Sequence, residues 1–483
     1  MLKTRNLGFW AAGLAWAGSL AWFALSAGGC PREARLDKGP GAGDSESWYG
    51  LYLGTDKIGH SVTISRSLPG GGRAISNRSL MRFQMMGHPQ EVASALSYDL
   101  DRDYALKRFD FRLSGAADIK VRGEVRGRKL LVDVETGGRT QRQEVGLSGP
   151  VTLPEAMEPL LAGRSLKPGD RHVFSIFDPS SLSLQPATIT VAGRESLALP
   201  GRTEWSVRLE TEFAGVTSQV WVDTLGRILR EEGPLGIVLL AEPRERALDV
   251  KGSERPLDLL TSLSVPALGR RFEDPRGASS AAYRLLDIEP AGFDLDGGRQ
   301  RLGNGVLAVT REPVPGRVQG PVPDSLRVWL SATALIQSDD PAVRALADSI
   351  CAGMSDPWLK STAISDWVFG SLEKKMSVTL PSAVEVLASR RGDCNEHATL
   401  FCALARAAGV PARLCLGVVF MEGRFYYHAW NAVWCGEWIE LDPAFGQSPA
   451  DAARVRLVSG DLSSQTRLLP AMGRLKIEVV ESR

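Results

Sequence analysis

Apolar and polar positions follow two different patterns along the 483-residue chain. From Trp48 to about Val250 they alternate in short runs that Gly, Pro and Asp interrupt, as in "KLLVDVETGGRTQRQEV". A period of two, with turn residues at regular spacing, is typical of antiparallel strands. We therefore predict an antiparallel β domain over residues 48–252, with one short helix near residues 154–161.

The next part of the chain carries fewer strand-like runs. Residues 251–268, "KGSERPLDLLTSLSVPAL", mark a predicted domain boundary. Residues 269–335 contain three further strand-like runs, "AAYRLLDIE", "NGVLAVTRE" and "SLRVWLS". These runs predict a small β module that packs on the last domain.

From Ser338 onward the apolar residues recur at helical spacing. Four helices are predicted, and the third of them, in "LPSAVEVLASRRG", is expected to end at Gly392. The other three lie in "DDPAVRALADSICAGM", "PWLKSTAISDWVFGSLEKK" and "DCNEHATLFCALARAAGVPAR". Strand-like runs follow in "RLCLGVVFME", "RFYYHAWNAVW" and "EWIELDP". The predicted fold class is therefore α+β, with an α+β domain over residues 336–483 behind the antiparallel β region.

The N-terminus carries an export or anchoring signal. Basic residues precede Leu7–Gly29, a run of 23 residues without a charge that is long enough to span a bilayer. Its small-residue end, followed by Cys30, also resembles a bacterial lipobox, which predicts lipidation of Cys30. A lipoprotein signal and an uncleaved membrane anchor over residues 1–29 remain alternatives. Both place the rest of the chain outside the cytoplasm, in the periplasm or cell envelope, behind a flexible linker at residues 30–47.

Charge and cysteine content exclude several functional classes. The chain holds 57 Lys and Arg against 56 Asp and Glu, so it lacks the basic excess of a nucleic-acid-binding protein. Six cysteines in a chain of this length do not make a disulfide scaffold. Five remain after Cys30, and a pairing of Cys415 with Cys435 stays open. The histidines of the β region have no partners at metal-ligand spacing, and we expect neither a metal nor a cofactor (His60, His88 and His172).

The motif "RRGDCNEHATL" contains the candidate nucleophile. Asp393 is a suitable N-cap, and Glu396 follows at the spacing of a capping box. Cys394 then becomes the first helical residue, where unpaired N–H groups and the helix dipole stabilise a thiolate. The same N–H groups can bind an oxyanion.

Two histidines are candidates for the base. His397 lies three residues along the same predicted helix, and His428 lies on a predicted strand. The following strand ends at Asp442. With a three-residue loop at Trp434–Gly436, His428 falls opposite Asp442 on the same face, where a carboxylate can orient an imidazole. A register shift of one residue would move Asp442 to the other face.

Three segments in order, "RRGDCNEHATLFCALARAAGVPAR", "YYHAWNAVW" and "EWIELDPAF", resemble the bacterial transglutaminase-like superfamily. The resemblance covers roughly residues 338–447 and implies a papain-like core with a Cys–His–Asp triad. It implies Cys394 as nucleophile, His428 as general base and acid, and Asp442 as the residue that orients His428. The implied reaction is acyl transfer or hydrolysis at an amide bond of a protein or peptide substrate, without a cofactor.

Several residues near these motifs have structural or binding interpretations. Trp430 is predicted to line the cleft and bind substrate. Trp358 and Trp367 are candidates for an oxyanion contact, although helix packing is the stronger interpretation for both. Cys351 and Cys402 are expected to be buried and inert. The alternative function is a catalytically silent envelope protein whose N-terminal β domain binds a partner or an apolar ligand.

Overall fold

A computed structural model describes residues 43–483 apart from short gaps. The gaps are residues 86–87, 116–118, 154–155, 157–165, 181, 214, 234–235, 251–257, 259–262, 317–320 and 376–381. The predicted signal or anchor at residues 1–29, the lipidation site Cys30 and most of the predicted short helix lie outside the described residues. Among those described, no helix is both long and apolar enough to cross a bilayer.

The N-terminal region forms one sheet of fifteen strands, whose neighbours are almost all antiparallel. Its order runs from β8 at one edge through β7 to β1, then from β15 back to β9 at the other edge. The single long-range pairing therefore joins β1 to β15. The strands are β1 Ser45–Leu53, β2 Asp56–Ser67, β3 Arg73–Met85, β4 His88–Leu100, β5 Leu106–Ser114, β6 Ile119–Arg126, β7 Lys129–Thr136, β8 Arg139–Gly146, β9 Val151–Thr152, β10 Arg171–Asp178, β11 Ser183–Leu199, β12 Arg202–Phe213, β13 Val216–Val222, β14 Ile228–Glu232 and β15 Ile237–Ala241.

Strand β7 shows why this sequence makes a sheet with two different faces. Leu130, Val132 and Val134 are buried on one face. Asp133 and Glu135 lie between them on the other face and pair with cations of neighbouring strands, at 2.7 Å and 2.6 Å. Such exposed pairs each contribute less than about 1 kcal/mol, so burial of the apolar face is the main stabilising term.

Nine of the remaining strands form a second sheet. Its order is β18-β19-β17-β26-β16-β23-β22-β25, with β24 paired to β23. The strands of the predicted small module thus share a sheet with those of the last domain. They are β16 Val265–Gly269, β17 Ser280–Leu286, β18 Gln300–Gly303, β19 Val306–Thr310, β22 Ala412–Met421, β23 Arg424–Trp434, β24 Trp438–Leu441, β25 Arg454–Gly460 and β26 Lys476–Ser482.

The four predicted helices of the last domain are confirmed. A short helix, α1 Arg244–Leu248, follows the first sheet; the four are α2 Pro341–Ile350, α3 Pro357–Ser371, α4 Ala383–Ser389 and α5 Cys394–Ala407. Helix α4 ends earlier than predicted, because Arg390 adopts the left-handed conformation with φ 55°. Residues Arg391–Gly392 (β21) then pair in parallel with Glu373–Lys374 (β20). This short bridge leads the chain directly to Asp393.

One predicted strand is wrong. The run "SLRVWLS" forms most of a 3₁₀ helix, Asp324–Leu330, and its C-cap Ser331, and Pro323 precedes the helix. Its alternating apolar residues suggested a strand, but none of the helix's described residues is buried, and the segment does not join either sheet. Without a neighbouring strand to pair with, the backbone satisfies its hydrogen bonds locally.

The two sheets share one hydrophobic core. Buried residues from Leu51 in the first sheet to Val479 in the last strand belong to a single contiguous cluster. Polar contacts cross the same boundary: the Gly137 N–H donates to Glu385 at 2.7 Å, and Arg139 pairs with Asp340. The N-terminal sheet and the last domain therefore pack as one body.

Candidate active site

Helix α5 begins as the sequence predicts. The Asp393 carboxylate accepts a hydrogen bond from the Asn395 N–H at 2.9 Å, and Glu396 accepts one from the Asp393 N–H at 2.9 Å. Together they form the predicted capping box. Gly392 is required here, because its φ is +154° and a Cβ would lie 2.2 Å from the Cβ of Glu396. The capping box fixes Cys394 as the first residue of the helix.

The N-terminal end of α5 lies inside the protein. Cys394 has no exposed surface, and neither do the residues on either side of it. Asn431 of β23 donates from Nδ2 to the carbonyl of Ala398 at 3.0 Å, which ties this strand to the first turns of the helix. Helix α5 and strand β23 therefore hold Cys394 and His428 on adjoining elements.

The β23–β24 hairpin differs from the predicted register. Trp434 pairs with Trp438, so the loop is Cys435-Gly436-Glu437 and not Trp434-Cys435-Gly436. Gly436 still supplies a left-handed conformation, with φ 84°, but as the middle residue of the loop. The shift moves the partner of each residue by two positions, and an even shift preserves the face on which a side chain lies.

His428 and Asp442 are consequently diagonal neighbours and in contact. His428 Nε2 lies 2.7 Å from Asp442 Oδ2, and both side chains are fully buried. Asp442 also accepts hydrogen bonds from the N–H groups of Ala444 at 2.9 Å and Phe445 at 3.1 Å, and from Arg454. Burial acts to raise the pKa of Asp442, but His428 and Arg454 outweigh it and hold that pKa well below its usual range.

The orientation of His428 leaves one ring nitrogen for chemistry. Nε2 is engaged by Asp442, and Nδ1 is buried without a hydrogen-bond partner among the described residues. The ring is held by Trp430, stacked at 5.9 Å, and by Phe445, edge-on at 5.0 Å. Burial lowers the pKa of His428 against the opposing effect of Asp442. An imidazole with a bound Nε2 and an open Nδ1 can accept a thiol proton only at Nδ1.

Trp430 stacks on one face of the His428 imidazole. Its ring is fully buried, and its indole N–H donates to Glu440 at 2.8 Å. In this position it supports His428, and its role in substrate binding stays a prediction. Trp358 is buried in helix α3, and Trp367 packs under the guanidinium of Arg390 at 4.4 Å. The helix-packing interpretation of these two residues agrees with their positions.

His397 occupies a separate place at the start of α5. Its Nδ1 donates to the carbonyl of Asp393 at 2.6 Å, and its Nε2 is buried without a partner among the described residues. Burial lowers its pKa. The bond to Asp393 holds this ring against its own helix, whereas His428 is the histidine bonded to Asp442.

The other cysteines are poor nucleophiles. All five cysteines in the described part of the chain carry thiols, including Cys415 and Cys435, whose pairing was left open. Burial raises the pKa of Cys402 to about 11 and that of Cys435 to about 12, and it also raises the pKa of Cys415. Among the residues the structure describes, no group of His, Cys, Asp and Glu has the arrangement of a metal site.

Sequence reasoning missed the cations around Asp442. Arg454 in β25 contacts Asp442 directly, and Asp451 and Arg276 extend the same cluster. A signal was present: Arg454 and Arg456 alternate with apolar residues in "ARVRLVSG", so they share one face of a buried strand. Buried arginines need acidic partners, and Asp442 and Glu440 are those partners.

A family comparison covers the same residues. Residues 344–443 match the model of the Transglutaminase-like superfamily, a range that contains Cys394, His428 and Asp442. This part of the chain is a transglutaminase-like domain. The chain's own continuation, β25 and β26, completes the sheet on which that domain is built. No match was found among curated proteins.

Three solved structures resemble parts of the chain. A protein provisionally assigned as a cysteine protease, from Cytophaga hutchinsonii, is 18% identical over 43% of this chain and 87% of its own, with a TM-score of 0.29. A beta-barrel-like protein with a domain of unknown function, from Brucella abortus, is 13% identical over 43% and 96%, with a TM-score of 0.33. A protein provisionally assigned as a protease, from Parabacteroides distasonis, is 10% identical over 71% and 68%, with a TM-score of 0.19.

Proposed function

We propose that this protein is a thiol enzyme that transfers or hydrolyses acyl groups at amide bonds of a protein or peptide. The nucleophile is Cys394, the general base and acid is His428, and Asp442 orients His428. The observation that carries the proposal is the buried 2.7 Å contact between His428 Nε2 and Asp442, which leaves Nδ1 without a partner. The strand that carries this imidazole packs on the helix that Cys394 begins.

The reaction divides into two half-reactions. The Cys394 thiol gives its proton to Nδ1 of His428 as the sulfur attacks the carbonyl carbon. The C–N bond then breaks, His428 returns the proton to the leaving amine, and a thioester remains on Cys394. Water or a second amine attacks the thioester carbon as His428 takes its proton; the C–S bond then breaks, the acid or the new amide is released, and His428 returns the proton to the sulfur of Cys394. The backbone N–H of Cys394, at the positive end of the α5 dipole, is the candidate donor to the oxyanion of both tetrahedral intermediates.

The first test is alkylation with iodoacetamide, read by mass spectrometry at each cysteine. Because Cys394 has no exposed surface, a small electrophile is a better probe than a peptide. We expect Cys394 to react faster than Cys402, Cys415 and Cys435, which serve as internal controls because burial raises their pKa values.

The alkylation must depend on the histidine at the site. His428→Ala should remove the preference for Cys394, and His172→Ala, in the N-terminal sheet, should leave it unchanged. An equal rate at Cys394 in the wild type and in His428→Ala would overturn the proposed pair. It would favour the alternative of a silent binding protein.

A second assay separates hydrolysis from transfer. Casein is offered with a fluorescent primary amine, and both amine incorporation and peptide release are measured. Cys394→Ser should lower whichever activity is present by at least ~10³-fold, because it removes the attacking group. Retention of activity in Cys394→Ser would exclude the thioester route.

The place of this chemistry is part of the proposal. The uncharged run Leu7–Gly29 and the following Cys30 support export and attachment to the envelope. Labelled palmitate should enter the wild-type chain and be absent from Cys30→Ser if the attachment is a lipid. Membrane retention of Cys30→Ser without lipid would instead identify Leu7–Gly29 as the anchor.

A further inference from the structure

A line of alternating charges extends from the imidazole through the domain. His428 contacts Asp442, Asp442 contacts Arg454, Arg454 contacts Asp451 at 2.9 Å, and Asp451 contacts Arg276 at 2.9 Å. The side chains of the first four residues have no exposed surface, and that of Arg276 is a quarter exposed. The proposed triad is therefore the end of a longer buried ionic network.

Arg454 and His428 bind the same oxygen. His428 Nε2 and Arg454 Nη1 both contact Oδ2 of Asp442, and Oδ1 is occupied by the N–H groups of Ala444 and Phe445. The Asp442 anion is thus shared between two cationic partners. The guanidinium of Arg454 is always charged and contacts the same oxygen as Nε2, so it opposes a positive charge on the imidazole.

Apart from Asp442, the groups facing His428 do not offset this charge. Burial is the largest effect that lowers the pKa of His428, and Arg454 and Arg276 add to it, whereas Asp442 raises that pKa. Trp430 and Phe445, which cover the ring, are uncharged. Cys394 and Asp393 begin α5, which packs on β23, and the charge of Lys374 reaches Asp442 and His397 from the β20 side.

We propose that Arg454 is a positioning residue that keeps His428 uncharged in the resting protein, so that Cys394 rests as a thiol. Deprotonation of Cys394 then occurs during attack, when the developing oxyanion compensates the charge on His428. The alternative is a resting thiolate–imidazolium pair, which a lone Asp442 would favour. This inference rests on the proposed function, because it concerns the proton that His428 accepts.

The network extends beyond the family match on both sides. Arg276 precedes residue 344, and Asp451 and Arg454 follow residue 443. The Arg276 guanidinium also donates to the carbonyl of Phe420 at 2.5 Å and covers the ring of Phe445 at 5.1 Å. Arg276, in the segment before the domain, therefore positions Asp451, and Asp451 positions Arg454 against Asp442.

The test compares the full-length wild type with a charge-balanced double variant. Arg454→Gln with Asp451→Asn removes one cation and one anion, so that of the two cationic groups in direct contact with Asp442 only His428 remains. Arg454→Lys retains the charge without the guanidinium geometry. Arg327→Gln, an exposed arginine paired with exposed Asp324, is the matched control.

The first readout is the protonation of His428 by ¹⁵N NMR. The chain has five histidines, so an imidazole spectrum can be assigned by single substitutions. We expect a neutral His428 at pH 7 in the wild type and in Arg454→Lys. In the double variant the midpoint should rise by one pH unit or more. A charged His428 in the wild type at pH 7, or an unchanged midpoint in the double variant, would overturn the inference.

The second readout is the pH dependence of Cys394 alkylation. The alkylation rate reports the thiolate form of Cys394. In the wild type this rate should fall as the pH drops below neutrality. In the double variant the fall should begin at least one pH unit lower, because a charged His428 keeps Cys394 as a thiolate. A structural loss alone would lower the rate at all pH values without moving the profile, and that result also overturns the inference. If Cys394 never depends on His428, the proposed function itself fails. If it does depend on His428 but the wild-type rate stays level down to pH 5, only the role of Arg454 fails.

Discussion

At the scale of single residues, Gly392 sets the position of the thiol. Its φ of +154° disfavours any residue with a side chain, and a Cβ at this position would lie 2.2 Å from the Cβ of Glu396. We expect Gly392→Ala to displace Glu396, break the capping box and lower the free energy of unfolding by about 1–3 kcal/mol. Alkylation of Cys394 should slow with it.

The matched control is Gly370→Ala on α3, where a Cβ meets nothing within 4 Å. That substitution removes a flexible residue from a helix and should stabilise the protein slightly. Chemical denaturation followed by circular dichroism measures both variants. Equal stabilities for the two would contradict the role assigned to Gly392.

A buried carboxyl gives the protein a pH dependence at neutrality. Burial raises the pKa of Glu312 to about 7, and the charge of Glu440 adds to the rise. A carboxyl with a raised pKa stabilises the fold at low pH, and this contribution is lost as the pH rises through the folded pKa. Between pH 5 and pH 8 we expect the ionisation of Glu312 to lower the free energy of unfolding by roughly 2–3 kcal/mol.

Glu312→Gln should remove that loss and make the protein more stable at pH 8 than the wild type. The uncharged amide retains an oxygen for the Glu440 N–H, which Glu312 binds at 3.2 Å. Glu437→Gln, in the exposed β23–β24 loop, is the control and should not change the slope. Thermal unfolding at several pH values measures the effect, and parallel curves for Glu312→Gln and the wild type would refute it.

The residue scale also shows what sequence alone could find. Cys394, His428 and Asp442 stood out because motif order and local capping chemistry are readable from the chain. Arg454 and Asp451 did not: the alternation in "ARVRLVSG" marks Arg454 as a residue of a buried strand face, but no local pattern identifies Asp442 as its partner. Glu312 was invisible for the same reason: its pKa depends on Glu440, which lies 128 positions away.

At the scale of elements, the Asp393 cap of α5 was predicted correctly and the hairpin register was not. Asp340, Asp356 and Asp393 all accept hydrogen bonds from the first N–H groups of their helices, at positions where the sequence changes to a helical period. The β23–β24 loop was placed one residue too early, since Gly436 suits more than one position of a three-residue turn. Asp442 kept the correct face only because the resulting shift was even.

Helix α3 offers a cap that is remote from the triad. Asp356 accepts hydrogen bonds from the N–H groups of Trp358 at 2.9 Å and Leu359 at 3.0 Å. Asp356→Ala should lower the free energy of unfolding by about 1 kcal/mol and leave the alkylation of Cys394 unchanged. Asp348→Ala, an exposed position on α2, should do neither. Slower alkylation in Asp356→Ala would show that α3 positions the site.

At the scale of the whole molecule, the sequence suggested three units, whereas one large hydrophobic cluster runs through all three of them. Period and turn signals identified the antiparallel region correctly, but they carry no information on which faces meet. Leu130, Val132 and Val134 of β7 belong to the same buried hydrophobic cluster as Phe401 of α5. Contacts such as Gly137 with Glu385 confirm that the faces meet, and only the folded chain reveals them.

A shared core predicts cooperative unfolding. We expect a single thermal transition, with tryptophan fluorescence, circular dichroism and exposure of the buried thiols changing together. Residues 264–483 alone should bind a hydrophobic dye, because removal of the first sheet uncovers part of the core. Two resolved transitions in the intact chain, or a compact fragment that binds no dye, would show that the units are independent.

The position of β26 has a consequence for synthesis of the protein. This strand pairs with β17 on one side and β16 on the other, and β16 continues to β23, the strand of His428. A ribosome that has already made Cys394, His428 and Asp442 must still make Lys476–Ser482 before this sheet can close. If Cys394 and His428 form the proposed pair, the sheet that carries His428 is complete only after β26 has been made, so we expect Cys394 in a growing or truncated chain to alkylate no faster than an unfolded-peptide thiol.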